Sequence, residues 1–248
     1  MVTVWYMTCA EDEEQLAMSV RIMHAYDWVK TIVIMHTDTA PNFTLHQQYP
    51  KVREMWEPGL RLANGQLDEV TARNVCLDFA EKQGNEWLLQ CDSDECYLDH
   101  TVEMLKQADC DGVWMGTYNV CSLTEYLALP VNPAAPMQDA HMRAWKSSLK
   151  LRYARNAAYQ HNINPTVHCE LEKGNINQGM TNPDTVYHIH FKHLIYSTIG
   201  SGFAAIPKAT LPAVLPFPLI DYVTAPGYHL KPFRDRWKLE FRDPLGPK

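Results

Sequence analysis

Short apolar runs that alternate with helical patterns constrain the fold of this chain more than any other feature of its sequence. Thr31–His36 is a continuous apolar run of the kind found in parallel sheets that are covered on both faces. Val2–Thr8 precedes it as a predicted buried strand, and Glu11–Val29 between the two carries apolar residues at helical spacing. This order predicts that the chain opens with a βαβ unit.

The same alternation continues to about residue 120 after a stretch rich in polar residues and turn signals. The predicted elements are a helix capped by Asp68 and ending near Lys82 before Gly84, a strand Glu86–Cys91, a helix Asp99–Ala108 and a strand Gly112–Val120. Strands that alternate with helices favour a mostly parallel sheet with helices on both faces. The sequence therefore predicts an α/β fold.

Composition and charge exclude several classes of protein. The chain has 248 residues, of which 46% are hydrophobic and 21% charged, so it has the balance of a water-soluble globular protein and not of a disordered or fibrous one. Its net charge of −7 gives no overall positive field for phosphate-backbone binding. No long apolar stretch and no basic leader follow Met1, which predicts a cytoplasmic protein without a transmembrane segment.

The seven cysteines are scattered singly, with no C-x-x-C pair, which excludes a zinc ribbon on spacing. We expect most or all of them to be small buried apolar residues in a reducing compartment.

The pattern changes from Leu129 onward. A proline-rich loop comes first, the next 40 or so residues mix short strand-like and turn-like pieces, and eight of the 16 prolines follow Gly200. We therefore expect an irregular, Pro-rich C-terminal segment over 201–248 instead of a second domain. Its stretch Lys231–Lys238 is basic and aromatic, which is compatible with a solvated surface or with docking of an anionic acceptor, including nucleic acid.

The sharpest local feature is the apolar run Trp87–Gln90, which leads into Asp92, Ser93, Asp94 and Glu95. Ligands of open α/β sheets bind outside the carboxyl ends of the strands, and two carboxylates there suit Mg²⁺ or Mn²⁺ together with a substrate's phosphates. The alternative is a structural one, because Asp and Ser also stabilise turns by bonding their own backbone.

The surrounding motifs resemble family 2-type glycosyltransferases of the GT-A fold. Thr71–Ala80, with its Ala-Arg-Asn, and the following Trp-Leu-Leu and Asp-x-Asp-Glu are similar to the signature "A-R-N … A … W-(I/L)-L-x-x-D-x-D-E". Weaker similarities are Ala10–Glu13 to "K-N-E-E", Ile32–Asn42 to a second strand with its acidic turn, and Leu151–Asn156 with Val167–Glu170 to the "R-L-F-R-N … V-H-E" of the lipopolysaccharide-core branch. The resemblance covers roughly Thr3 to His193.

The resemblance implies a GT-A-like single domain over 1–200, with a nucleotide-sugar-binding half over 1–120 and an acceptor-side half over 121–200. It implies that Asp94 binds the cation directly and that Asp92 reaches the ribose, or the metal through water. Glu95 would belong to the outer shell of the metal or face solvent. Arg73 and Asp38 would contact the nucleotide, although Arg73 could equally pair with Glu69 on its own helix.

Three histidines lie close together after Tyr187. His188 and His190 alternate on a predicted strand and so face one side of it, and His193 follows. GT-A enzymes commonly take a metal ligand from a histidine of the C-terminal half, so His190 and then His188 are the predicted ligands. The alternative is that these histidines are ordinary core or surface residues.

The general base is the least defined position. An inverting transferase needs a group that accepts the proton of the acceptor hydroxyl, and Glu170 with His168 is the predicted choice. Cys169 occupies the position where the motif has its glutamate, so Asp139 and Glu172 stay open as alternatives, as do a retaining reaction and loss of transfer activity.

The sequence thus predicts a Mn²⁺- or Mg²⁺-dependent glycosyltransferase that uses a nucleotide-sugar donor, with UDP as the expected nucleotide. The acceptor would be a glycan, a lipid-linked glycan or another hydroxyl compound. The alternatives are a nucleotidyltransferase or nucleotide-sugar hydrolase that uses the same metal, and a non-catalytic module that binds a glycan or a partner protein. Signatures of dinucleotide oxidoreductases, P-loop enzymes, α/β-hydrolases and zincins are missing from the sequence.

Overall fold

A computed structural model describes residues 1–9, 13–38, 44–119, 125–128, 141–155, 169–181, 187–190 and 211–214. Its elements, in chain order, are β1 (Val2–Thr8), α1 (Glu13–Ala25), β2 (Val29–His36), β3 (Val52–Trp56), α2 (Glu69–Glu81), β4 (Trp87–Gln90), β5 (Glu95–Tyr97), α3 (Thr101–Gln107), β6 (Gly112–Met115), β7 (Thr117–Asn119), β8 (Glu125–Ala128), β9 (His141–Lys146), a 3₁₀ turn (Ser147–Leu149), β10 (Arg152–Arg155), β11 (Cys169–Glu172), β12 (Gln178–Met180), β13 (His188–His190) and β14 (Leu211–Val214).

The central sheet has seven strands in the order β12-β6-β9-β4-β1-β2-β3. Strand β9 pairs antiparallel with both of its neighbours, and the other pairs in this sheet are parallel. The predicted α/β fold with a mostly parallel sheet is therefore confirmed. Three small sheets accompany it, β5-β13-β7, β10-β11 and β8-β14.

Both faces of the sheet are covered because its strands alternate large apolar side chains between two cores. Val4 and Tyr6 of β1 belong to the core that includes residues of α1 and α3, whereas Trp5 belongs to the core on the α2 side. Helix α2 begins where the sequence predicts, since the Asp68 carboxylate accepts a hydrogen bond from the backbone N–H of Thr71.

The sequence prediction is wrong in two places. The expected strand Gly112–Val120 is divided at Gly116 into β6 and β7, which belong to different sheets, and its register against β9 shifts between Val113 and Trp114. Strand β3 lies where the sequence predicts a loop. It was not predicted because charged residues, which are common in edge strands, interrupt its apolar pattern. Strand β9 lies in the stretch after Leu129, for which the sequence predicts a mixture of short strand-like and turn-like pieces.

Other predictions about the whole chain have mixed outcomes. Cys76, Cys91, Cys96 and Cys110 are buried free thiols, as expected, and burial raises the pKa of Cys76 and Cys96. In the described part of the chain, no helix is long and apolar enough to cross a membrane. The boundaries at 120 and 200 stay predictions. Apart from the backbone of β14, the Pro-rich segment, including Lys231–Lys238, lies outside the described residues.

A buried carboxylate connects β3 to the end of β2. The Glu54 side chain is fully buried; its Oε1 lies 3.0 Å from His36 Nε2, and it accepts hydrogen bonds from the backbone N–H groups of Leu45 and His46 and contacts the His46 ring. Burial alone would raise the pKa of Glu54, but the bonds from His36 and His46 outweigh it and lower the pKa to about 2.

We expect Glu54→Gln to lower the free energy of unfolding at pH 7 by about 3 kcal/mol, which is the energy that corresponds to this pKa shift. Because the folded-state pKa is lowered, this stabilisation is complete above the ordinary pKa of 4.5 and is lost as the pH falls towards about 2. The measurement is urea unfolding of both proteins between pH 7 and pH 3. Glu86→Gln, at an exposed position, is the control and should change stability by less than about 0.5 kcal/mol. A Glu54→Gln deficit that does not shrink at low pH would contradict the assignment.

Candidate functional site

The Asp-x-Asp motif lies at the carboxyl edge of the central sheet. Strand β4 ends at Gln90, and the chain then makes a tight turn in which the Glu95 backbone N–H donates to the Asp92 carbonyl at 3.0 Å. The Asp92 N–H donates in turn to the Glu95 carboxylate at 2.9 Å. Because β1 and β2 run parallel to β4, their carboxyl ends lie at the same edge, where open α/β sheets bind ligands.

Glu95 is the centre of a buried charged cluster under this turn. Arg143 Nη2, from β9, donates to its Oε1 at 2.6 Å, and His188 Nε2, from β13, lies 3.1 Å from its Oε2. His188 Nδ1 lies 2.9 Å from the Thr117 hydroxyl. We call Glu95, Arg143 and His188 the Glu95 cluster. Glu95 is completely buried, so the expectation that it could face solvent is wrong.

The charges of the Glu95 cluster support one another. Burial alone would raise the pKa of Glu95, but the nearby Arg143 and His188 hold it well below its usual range. Burial alone would lower the pKa of Arg143, and Glu95 instead keeps it above its ordinary value. For His188 burial prevails over the attraction of Glu95, so its pKa is lowered. The cluster is thus an ionised carboxylate and guanidinium beside a histidine that favours its neutral form.

Asp92 lies between two arginines. Its Oδ2 is 3.4 Å from Arg143 Nη1 and its Oδ1 is 3.9 Å from Arg73 Nη1, and 36% of its side chain is exposed. Arg73 also donates from Nε to Glu69 at 2.8 Å and lies over the Tyr153 ring. The expected pairing of Arg73 with Glu69 is therefore present, Arg73 also lies near Asp92 of the motif, and its contact with a nucleotide stays a prediction.

Asp94 meets a histidine from the distant β13. His190 Nε2 lies 3.2 Å from Asp94 Oδ2, and the two side chains are only 15% and 14% exposed. Burial lowers the pKa of His190, but the hydrogen bond and charge of Asp94 outweigh it and the pKa is raised. The structure thus brings together two of the four predicted metal ligands.

These residues allow an open cation site but not a closed one. Among the described residues, no group of three or more His, Cys, Asp or Glu side chains could hold a metal ion. Mg²⁺ is usually held by one or two carboxylates, with phosphates and water completing its shell, and neighbouring ligands on an octahedron with bonds of about 2.1 Å are about 3 Å apart. In this arrangement Asp94 and His190 are hydrogen-bonded to each other at 3.2 Å, so an ion would have to displace this bond to use both side chains as ligands.

His188 and Asp92 do not join that pair in this arrangement. His188 is completely buried and its two ring nitrogens face Thr117 and Glu95. The Asp92 carboxylate faces Arg143 and Arg73. The contacts of both side chains are thus directed away from the Asp94–His190 pair, and their role as metal ligands stays a prediction.

The remaining predicted residues are only partly described. Asp38 follows β2 at the same sheet edge and accepts a hydrogen bond from Arg61 at 2.8 Å. Glu170 has a described backbone in β11, paired with Ala154 of β10, whereas His168, Asp139 and His193 lie outside the described residues. Glu172 is exposed at the end of β11. The identity of the base stays a prediction.

Arg143 is the main residue that the sequence analysis missed. It lies in His141–Lys146, where a charged residue interrupts the apolar positions Met142, Ala144 and Trp145. A single arginine inside an apolar strand has to be paired when it is buried, and this is the signal that would have pointed to it.

Tyr153 was missed as well. Its hydroxyl donates to Gln90 at 2.6 Å, and its backbone makes two hydrogen bonds with the Asn74 side chain of α2. These contacts attach the β10–β11 pair, and with it the backbone of Glu170, to the helix that carries Arg73.

Fold and site together define an α/β protein with an acidic motif, two arginines and a histidine at the carboxyl edge of a mostly parallel sheet. No known protein family and no curated protein matches the chain. Among solved structures it is similar to S. aureus TarS 1–349, at 14% identity and a TM-score of 0.44, over 76% of this chain and 60% of that chain. The values for the same protein in complex with UDP are 14%, 0.44, 76% and 59%.

The chain is also similar to the 4-diphosphocytidyl-2C-methyl-D-erythritol synthase of Anaerococcus prevotii, at 9% identity and a TM-score of 0.39, over 60% of this chain and 71% of that chain. Identities and TM-scores of this size do not assign the chain to a family. The chain spans less than two thirds of the length of TarS 1–349.

Proposed function

We propose that this protein is a metal-dependent glycosyltransferase that transfers a sugar from a UDP-sugar to a hydroxyl acceptor with inversion. The observation that carries the proposal is the pairing of Asp94 with His190 at the carboxyl edge of the sheet, 3.2 Å apart and joined from two distant parts of the chain. The resemblance of the motif to glycosyltransferase signatures supports the choice of reaction.

Asp94 and His190 are the residues that would hold Mn²⁺ or Mg²⁺. When bound, such an ion supplies Lewis-acid stabilisation of the charge that develops on a departing nucleoside diphosphate. A neutral His190 is required for binding, so the ion has to compete with the proton that Asp94 favours on this ring.

Two arginines, Arg73 and Arg143, add positive charge next to the proposed cation site. Arg73 and Arg143 flank Asp92, and they offset its charge next to the place where an anionic donor would bind. Arg73 is the better placed of the two for direct contact, because Arg143 is buried and committed to Glu95. Asp92 has the exposed fraction needed to accept a hydrogen bond from a ribose hydroxyl, which is the role proposed for it.

The proposed catalytic base lies in β11. We propose Glu170, with His168 as the alternative, as the base that accepts the proton of the acceptor hydroxyl. The acceptor is proposed to be a glycan, lipid-linked glycan or other hydroxyl compound.

We expect UDP together with Mn²⁺ to raise the melting temperature by several degrees, and UDP with EDTA to have a much smaller effect. A ligand at about 100 times its dissociation constant adds about 2.7 kcal/mol to the stability of the folded state, and about 1 kcal/mol corresponds to about 2–4 °C for a chain of this size. The measurement is a thermal shift assay with UDP, Mn²⁺ and the two combined. CMP with Mn²⁺ serves as the control nucleotide.

Three results would contradict the proposal. The first is the lack of any stabilisation by UDP and Mn²⁺. The second is release of pyrophosphate during turnover, which would assign the site to a nucleotidyltransferase instead. Hydrolysis of UDP-sugars at a rate independent of acceptors would indicate a nucleotide-sugar hydrolase.

A further inference from the structure

We infer that Glu95 and Arg143 are positioning residues that hold the Asp-x-Asp turn in the conformation in which Asp94 faces His190. The inference rests on the proposed function for the role of Asp94, but the contacts that it concerns can be tested without any turnover. Neither residue is proposed to touch the donor.

The Glu95 side chain accepts hydrogen bonds from the backbone of the turn and from a side chain of β9. Its Oε2 accepts the Asp92 N–H at 2.9 Å, and its Oε1 accepts from Arg143 at 2.6 Å. The Ser19 hydroxyl of α1 donates to the Glu95 backbone carbonyl. Residues of α1, β9 and the turn itself therefore converge on one residue directly after Asp94.

Arg143 connects two of the three acidic residues of the motif. It contacts Glu95 through Nη2 and Asp92 through Nη1, so a single planar guanidinium fixes both carboxylates relative to each other. Lysine carries the same charge but has no such fork and cannot reproduce both contacts at once.

The register of β13 connects the same cluster to His190. Glu95 is opposite His190 in the antiparallel pairing of β5 and β13, and Cys96 is opposite Ile189. His188, two residues from His190 on the same strand, contacts Glu95 with its side chain. Loss of the Glu95 carboxylate would therefore remove the acceptor that holds the turn next to Asp94, together with one side-chain contact to the strand that carries His190.

The test compares Glu95→Gln and Arg143→Lys with Glu81→Gln. Glu81 is a matched control because it is another nearly buried carboxylate with two cationic partners, Arg152 at 2.8 Å and Lys150 at 3.2 Å, at the far end of α2. Hydrogen exchange of the peptide that covers β4, the turn and β5 is measured first. Binding of Mn²⁺ in the presence of UDP is then measured by electron paramagnetic resonance of the free ion.

We expect amide exchange in the turn to rise about tenfold or more in Glu95→Gln, because a hydrogen bond to a charged acceptor is lost. Mn²⁺ affinity should fall about 10- to 100-fold, as for residues that orient metal ligands. Arg143→Lys should give smaller changes in the same direction. Glu81→Gln should leave both quantities unchanged even if its melting temperature falls as much.

Three outcomes would overturn the inference. Unchanged exchange in Glu95→Gln would show that the turn is held by other contacts. Faster exchange with unchanged Mn²⁺ affinity would show that the turn does not position the cation site, while the proposed function would stand. Equal losses of Mn²⁺ affinity in Glu81→Gln would show that the effect reports general stability. If the wild type binds no Mn²⁺, the proposed function fails, and the exchange data alone decide whether the cluster holds the turn.

Discussion

Asp94→Asn is expected to lower the affinity for Mn²⁺ in the presence of UDP by at least about 100-fold, since residues that only orient metal ligands are already worth about 10- to 100-fold. The asparagine keeps the shape of the side chain and removes its charge. In the structure Asp94 is the carboxylate of the motif that contacts His190, whereas Asp92 faces arginines and the buried Glu95 contacts Arg143 and His188. The affinities are measured by titration calorimetry.

Asp111→Asn is the control for this substitution. Asp111 precedes β6 at the opposite edge of the sheet and pairs with Lys146 at 3.3 Å, so it offers a half-buried ion pair outside the candidate site. Its replacement should leave Mn²⁺ affinity within about twofold, in line with the small energies of such pairs. Equal affinities of Asp94→Asn and wild type would remove Asp94 from the cation site and with it the main support for the proposed function.

The first half of the fold could be predicted because its signals are local. Asp68 caps the start of α2, and Gly84 follows its end in a left-handed turn at φ +72°. The strands β1, β2 and β4 are buried on both faces, so their apolar runs stand out from the polar loops. Short-range chemistry is sufficient for such elements.

Strand β9 could not be predicted because its position depends on distant partners. Its pairing with β4 and β6 joins residues more than 25 positions apart, and it alone reverses direction in the central sheet. Arg143 is tolerated there only because Glu95 lies opposite it in the folded state. The local pattern shows that a buried arginine needs a partner, but it does not show that the partner is Glu95.

Contacts between distant parts of the chain also decide which of the two histidines contacts Asp94. The spacing of His188 and His190 places them on one side of a strand, but which carboxylate each one meets depends on the turn from Asp92 to Glu95. Register against β5 places His188 opposite Tyr97, where its ring lies 4.7 Å from the tyrosine ring, in the buried interior. His190 is left at the less buried end, next to Asp94.

The largest expected change in stability is that of Arg143→Met. We expect this substitution to lower the free energy of unfolding by about 3–5 kcal/mol, because it removes one partner of a buried ion pair and leaves the other charge in the interior. Glu95 would retain only His188 and the Asp92 N–H as partners. Urea unfolding at pH 7 measures the difference.

The pH dependence of that loss has a definite sign. In the wild type the pKa of Glu95 is lowered, so its contribution to stability is present above the ordinary pKa of 4.5 and decreases as the pH falls below it. Without Arg143, the strongest of the influences that lower the pKa of Glu95 is lost, while burial still raises it. Glu95 is then protonated more easily in the folded variant than in the folded wild type, so the difference in stability between the two proteins should narrow as the pH falls.

The double variant Arg143→Met with Glu95→Leu separates the cost of an unpaired charge from the loss of packing. Replacing both members of a buried pair with apolar residues is often neutral or stabilising, so the double variant should regain most of the stability that Arg143→Met loses. It should not regain Mn²⁺ affinity, because the Asp92 N–H has then lost its acceptor. If the double variant is as unstable as Arg143→Met, the unpaired charge of Glu95 is not the source of the lost stability. Arg143 would then stabilise the fold through the packing of its aliphatic part against residues around β9.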